Sequence, residues 1–522
     1  MDDLKKRIVS GIVFALLLVG MFTLTFNIQP VKAGTIIVPD DYPTIQEAIN
    51  AANPGDTIFV KAETYYENVI VNKTVSLIGE NRETTIVDCG FGCGLRIASY
   101  DHLPHKIANI TISKFTIRNA GMWGAIFLEK ATSCNISNNN LIDSVTGIYL
   151  LDSDHNTIFA NVMKNNERGF GLGVYVDESD YNNVSCNKIT DNYGGISLSS
   201  STDNIINGND VSNNSGTGVS LDESNHNVIS FNNVEKNQGL GISLYKSVNN
   251  AIQGNDIRNN SYDGIELYIC LPPYPSLGNV IVNNNVISNG LEFPCRGIYS
   301  YFSGNNLIYH NNFINNARQV EIEKGLNTYT NTWDNGYPSG GNYWSDYNGT
   351  DLHWSSDQNE TGSDGIGDTA YIIGENNTDR YPLMAPFTTF DAGTWNETAY
   401  NVDVVSNSTL SNFQLNTTLK TISFNVTGVE DTAGFCRITI PNIIVQDLWQ
   451  GNYTVLLNGE PWSFRNWTDT TNTYIYVNYT YSEHQIIIIP EFPSAIILPL
   501  FMVLSVIVLV LAKKKRLKKT QT

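Results

Sequence analysis

Apolar residues alternate in runs of three to five positions along the middle of this chain, and each run breaks at Gly, Asn, Asp or Ser. That period of two predicts short strands and excludes a 3.6-residue helical stripe. The runs themselves recur. The phrase Gly-Ile-x-Leu, or a close variant, opens at Gly124, Gly147, Gly173, Gly195, Gly218, Gly241, Gly264 and Gly297, mostly 22 or 23 residues apart with one step of 26 and one of 33. A second register runs beside it. Ile158, Val184, Ile206, Ile229, Ile252, Ile281 and Ile308 are each followed three residues later by Asn161, Asn187, Asn209, Asn232, Asn255, Asn284 and Asn311. Two residues after each of these asparagines the chain turns apolar again, as at Val211, Val234, Ile257 and Phe313.

Repetition at this period predicts a solenoid. Three short strands and three turns fit one repeat, and β-branched residues dominate where a leucine-rich repeat would need a Leu frame. The expected fold is all-β: a right-handed parallel β-helix whose coils stack at ~4.8 Å. Asn tolerates left-handed turns and can bond to its equivalent in the next coil, so the asparagines are expected to form a structural ladder at one turn of every coil.

The flanks depart from the repeat. Pro43, Thr44 and Glu47 precede or share a short stretch in which Ile45, Ala48, Ile49 and Ala52 lie on one face. This predicts an N-terminal helical cap over the first coil, since a solenoid exposes its core at each end. From Trp333 to Pro386 the chain is rich in Trp, Tyr, Gly and Asp without periodicity, which suits a loop-rich cap at the far end. From Ala399 to Ile489 short alternating stretches predict a small β-sandwich.

The two termini are of another kind. Lys5, Lys6 and Arg7 precede an apolar run from Ile8 to Phe26, which reads as a secretory signal or an uncleaved anchor. Ala495 to Ala512 is almost wholly apolar and is followed by KKKRLKK, the pattern of a transmembrane helix with a cytoplasmic tail. The expected segments are therefore 1–33 signal or anchor, 34–332 β-helix, 333–390 cap, 396–489 sandwich, 495–512 transmembrane helix and 513–522 basic tail. Asn-x-Ser/Thr sequons at Asn72, Asn183, Asn348, Asn407, Asn452 and Asn478 fit an exported, cell-surface glycoprotein.

A formal net charge of −20 argues against nucleic acid as a partner. Seven cysteines are too few for a disulfide framework. Cys89 with Cys93 and Cys270 with Cys295 could pair locally, and Cys186 is expected to be a buried thiol.

"TIIVPDDYPTIQEAINAANPGDTIFV", the Asn-rich coils and "GGNYWSDYNGTD…DGIGDTAY…DRYPLMAP" together resemble the NosD-like right-handed β-helix family, within the pectin-lyase-like group of carbohydrate-binding proteins and sugar hydrolases. The resemblance spans about residues 34 to 390. The sandwich and "PEFPSAIILPLF…KKKR" resemble archaeal surface proteins. The family's association with copper delivery does not carry over, because no copper-ligand motif stands in this sequence.

The polygalacturonase-like signature set is also missing: no Gly-His-Gly occurs, and the Asp-Asp pairs, Asp2-Asp3 and Asp40-Asp41, fall outside the coils. Asp152, Asp154, Asp177, Glu178, Asp180, Asp203, Asp222 and Glu223 form an acidic stripe after the Gly-Ile-x-Leu strands, either a solvated edge or a weak cation surface. His155 and His226 share a repeat position three coils apart, about 14 Å at ~4.8 Å per coil, too far to share an ion. The sharper metal candidate is "DQNETGSDGIGD", where Asp357, Asn359, Asp364 and Asp368 could hold Ca2+ or could make ordinary glycine turns with Asx bonds. Tyr149, Tyr175, Tyr245 and Tyr268 are expected on the solenoid exterior, where they offer stacking faces to sugars. The expected activity is non-catalytic binding of a glycan or a cell-envelope protein. The alternative is a polysaccharide lyase, hydrolase or epimerase with a diverged site.

Overall fold

The computed structural model describes residues 33–98, 106–169, 171–268, 276–291, 293–323, 330–430, 432–480 and 483–491. The signal or anchor, the apolar segment 495–512, the basic tail and Cys270 lie outside them. Among the described residues no helix is long and apolar enough to cross a membrane.

The repeat folds as a right-handed parallel β-helix of three sheets. The first has twelve strands, from Thr35–Val38 to Leu307–Tyr309; the second has twelve, from Thr64–Tyr65 to Tyr343–Trp344; the third has eleven, from Val69–Val71 to Arg318–Glu323. Register is in phase with the sequence repeat. Ile158, Val184, Ile206, Ile229, Ile252, Ile281 and Ile308 pair one above another on the first sheet, and all are fully buried. A one-residue slip in any coil would turn its whole apolar set outward, which is why the alternation locks the stack.

The glycine that opens each phrase sits at the crowded corner between the second and third sheets. A Cβ on Gly218 would lie 2.5 Å from Val234 Cγ1 and 2.8 Å from the Gly241 carbonyl. No side chain fits there without displacing the next coil's backbone.

The asparagines form three buried ladders where the sequence suggested one. The first is the expected Asn161-Asn187-Asn209-Asn232-Asn255-Asn284-Asn311 column. The second runs through Asn156, Asn182, Asn204, Asn227, Asn250, Asn279 and Asn306, the third through Asn166, Asn192, Asn214, Asn237, Asn260, Asn289 and Asn316. Each side chain does the same work at every level. Asn209 Nδ2 donates to Asn232 Oδ1 at 2.9 Å and to the Val184 carbonyl at 2.8 Å, while Asn232 Oδ1 also accepts the Asn209 backbone N–H. The turn's buried polar groups are thus paired without water, as a buried backbone requires.

Both ends of the core are closed. Helix α1, Ile45–Ala51, is capped by Thr44, whose hydroxyl accepts the Glu47 amide, and it buries Ile45, Ala48 and Ile49. Glu67 accepts the amides of Ile45 and Gln46 at its N-terminus. At the far end Trp344 stacks on Phe313 at 4.5 Å and Tyr371 stacks on Trp344 at 4.6 Å. The ladders stop at cap residues: Asn342 then Asp379 end the first, Asn331 then Asn377 the second, and Gln319 the third.

The sandwich consists of two five-stranded antiparallel sheets and begins at Phe387. It also holds a helix that the strand pattern did not suggest, α2, Asn442–Trp449, burying Ile444, Val445, Leu448 and Trp449. Pro441 stops the preceding strand from continuing and starts the helix. The junction with the β-helix is buried around His310, which stacks on Phe387 at 4.2 Å, and around Arg437, which donates to the Ser339 and Pro338 carbonyls.

Three expectations about cysteine resolve differently. Cys186 is exposed, because its position is a left-handed turn residue (φ 56°), shared with Gly208, Phe231 and Gly254, and not a core position. Cys89 and Cys93 are unbonded thiols, and Cys295 is unbonded as well.

Candidate functional site

Along the outer face of the third sheet, coil register builds a continuous row: Tyr149, Tyr175, Ser197, Ser220, Ser243, Glu266, Tyr299 and Glu321. Beside it runs a second row, Asp177, Ser199, Asp222, Tyr245 and Tyr268. Three successive small residues, Ser197, Ser220 and Ser243, make a trough in the first row. At one end Tyr149 stacks on Tyr175 at 4.8 Å, with Phe127 tilted against Tyr149 at 5.1 Å; in the second row, beside Ser243 and Glu266, Tyr268 stacks on Tyr301 at 5.3 Å, with Tyr245 tilted against Tyr268 at 5.9 Å. Beside the serine row, on the side of the corner turns bearing Tyr193 and Tyr262, lies a groove of about 620 Å³ that meets the row at Ser220, Glu266 and Tyr299. That lies within the ~300–1,000 Å³ of small-molecule sites.

The charged end of the groove lies where the repeat is interrupted. Asp263 accepts the Arg296 amide at 2.5 Å, and Arg296 Nη1 stands 3.7 Å from its carboxylate. Arg296 also donates from Nε to Glu321 at 2.6 Å and lays its guanidinium 4.1 Å from the centre of the Tyr299 ring. Burial raises Asp263, and the Arg296 contacts only partly offset it. Glu266 receives one hydrogen bond, from Ser243 Oγ at 3.1 Å, and burial followed by the neighbouring Asp263 charge pushes its carboxyl above the usual range. None of Asp263, Glu266 and Arg296 stood out in the sequence, because only coil register brings them together.

Half of the acidic stripe serves the solenoid. Asp154 Oδ1 accepts the Asp180 amide and Asp180 Oδ1 accepts the Thr202 amide, each one coil on. Lys106 pairs with Asp152 and Asp154, and Lys246 with Glu223. His155 stacks on Tyr181, and His226 bonds with Asn249; both are left-handed turn residues.

The calcium candidates lie on one loop but face different partners. Asp364 is buried; it accepts the Ile366 amide at 3.0 Å and the Gln358 side chain at 3.5 Å, and burial raises its carboxyl. Asp368 accepts the amides of Leu352 and His353 and the Thr350 hydroxyl, which together outweigh burial and hold it below the usual range. Asn359 accepts from Ser355, and Asp357 is exposed. The carboxylate the sequence did not single out is Asp351. It accepts the Asp364 and Gly365 amides, and burial pushes it up to about 7.

Among the described residues no three His, Cys, Asp or Glu side chains are grouped to hold a metal ion. Copper would select His, Cys and Met ligands. His310 is half-buried between Phe387 and the Ser339 carbonyl, and the described cysteines are dispersed, so these residues do not fit a copper centre.

The chain as a whole has distant likenesses among solved structures. The Dettilon tailspike protein is 12% identical over 87% of this chain and 93% of that one, with a TM-score of 0.43. The A-module of the Azotobacter vinelandii mannuronan C-5 epimerase AlgE6 is 14% identical over 55% and 91%, with a TM-score of 0.38. The catalytic domain of a GH87 α-1,3-glucanase is 12% identical over 60% and 70%, with a TM-score of 0.40. No curated protein matches the chain. A family model does: the one described as periplasmic copper-binding protein (NosD) matches residues 49–233 and 173–349. Those matches run across the coils and into the far-end cap, over more than half of the chain, and the protein belongs to the NosD family.

Proposed function

We propose that this protein is an exported glycan-binding β-helix, held at the cell surface by the apolar segment 495–512, and that its ligand lies along the third-sheet groove without being turned over. The observation that carries the reading is the serine row with stacked tyrosines at one end and along its side, next to the groove. Aromatic faces pack on the apolar faces of sugar rings, and a row of hydroxyls at strand spacing can exchange hydrogen bonds with ring hydroxyls. Surface attachment rests on the sequence of the terminal segments. An envelope protein in place of a glycan is the other occupant the sequence allowed. Polysaccharide processing keeps one foothold, the Asp263 and Glu266 carboxylates at the groove's end.

Titration calorimetry of the purified protein with neutral, anionic and cationic oligosaccharides tests the reading. At least one class should bind, and Tyr175→Ala and Ser220→Trp should each weaken it tenfold or more. The oligosaccharide should be recovered unchanged in length and stereochemistry. A silent titration across all classes refutes glycan binding; a shortened or epimerised product moves the protein to the enzymatic alternative.

A further inference from the structure

Charges at the groove do not cancel evenly. Arg296 and Arg318 both contact Glu321, and Arg296 also faces Asp263, so these two cations and two carboxylates compensate one another. Tyr299 donates its hydroxyl to Glu323. Lys246 is engaged by Glu223. Among the described residues Glu266 makes no ion pair, although the Arg296 charge bears on it: its hydrogen bond comes from Ser243, and it is half-buried at the foot of the serine trough. A half-buried carboxylate with one neutral donor and no ion pair has lost part of its hydration while the Arg296 charge is shared with Glu321 and Asp263, and this is a condition in which a cationic ligand gains.

Resting on the glycan-binding reading, we infer that the groove selects glycans carrying free amino groups, with an ammonium seated on the Glu266 carboxylate and ring hydroxyls on Ser220 and Ser243. The same uncompensated charge disfavours polyuronates. Asp263 adds to the negative potential at Glu266, and the Arg296 guanidinium, committed to Glu321 and Tyr299, is not placed to receive a uronate. Selection by one ammonium contact is electrostatic, so it weakens as salt screens it over a Debye length of ~8 Å.

The test uses three tetrasaccharides against the whole protein in low salt: a β-1,4-linked glucosamine tetramer, its N-acetylated counterpart, and tetragalacturonate with and without calcium. The glucosamine tetramer should bind at least tenfold tighter than the acetylated one. Glu266→Gln, which keeps the Ser243 bond, should bring the affinities of the two tetramers to within about twofold of each other. Ser220→Trp should abolish both, which places the binding in the groove without altering charge. Equal affinity for the two tetramers, a preference that survives Glu266→Gln, or tightest binding by tetragalacturonate in calcium each overturns the inference while glycan binding stands. If no tetrasaccharide binds, both the inference and the reading beneath it fall.

Discussion

Replacing Asn232 by Ala removes the middle rung of the first ladder. Its side chain accepts the Asn209 backbone N–H at 2.9 Å and Asn209 Nδ2 at 2.9 Å, and it donates to the Ile206 carbonyl at 2.9 Å and to Asn255 Oδ1 at 3.0 Å. Alanine leaves the Asn209 amide, one Asn209 side-chain proton and the Ile206 carbonyl unpaired, all in a turn where both asparagines are about 1% exposed. A buried polar group stripped of its partner costs about 1–3 kcal/mol, so three such losses come to roughly 3–6 kcal/mol after partial relaxation. In a solenoid each coil contacts only its neighbours, so the loss concentrates there. Amide exchange at Asn209 and its coil should quicken by about 10²–10⁴-fold, at ~1.4 kcal/mol per tenfold, with coils four or more repeats away unaffected. The control is Asn213→Ala, at an exposed left-handed turn position (φ 56°), which carries only the ~1–2 kcal/mol of a left-handed alanine. If the two variants exchange alike, the ladders contribute no more than turn propensity, and the account of the asparagines is wrong.

Gly218→Ala should destabilise by about 1–3 kcal/mol in urea unfolding, since its Cβ meets Val234 and the Gly241 carbonyl, whereas Gly374→Ala, with open space around it, should not. Burial raises Asp351 and Asp379 to about 7 and Asp403 to about 6, so the folded chain binds these protons more tightly than the unfolded one, in which aspartate titrates near ~4. Stability of the cap and sandwich should therefore fall as pH rises from about 4 to about 7, and differential scanning calorimetry of Asp379→Asn should show a flatter dependence. Asp364 accepts the Ile366 amide and Asp368 the Leu352 and His353 amides, and a carboxylate so bonded keeps lone pairs for a cation. If Asp357, Asn359, Asp364 and Asp368 hold Ca2+, the melting temperature should be higher in millimolar calcium than in chelator and Asp364→Ala should remove the difference; identical melting in the two would refute the site.

The coils were legible in the sequence because their determinants are local and repeated. Alternation, the corner glycine and the asparagine each act within one repeat and meet only their own copies in the next, so one period is enough to imply the whole stack. The helical cap was legible for the same reason: Thr44, Glu47 and the Ile45–Ile49 face lie within a few residues. Helix α2 was not, since Ile443 to Trp449 is short, apolar and surrounded by strands, and its packing on the sandwich core, not its pattern, decides it. Cys186 was misplaced because a turn position tolerates Ala, Gly, Cys and Phe alike, so residue type there carries no burial signal. The groove is a tertiary product. Glu266 and Arg296 are separated in the chain by the insertion between two coils, yet they stand on adjacent strands, because parallel pairing ignores the length of what loops out between them. Which side chains share a column follows from register across coils, and which of their charges remain uncompensated follows from every neighbour at once. The sequence alone determines the repeating scaffold; only the assembled stack decides what its outer face presents.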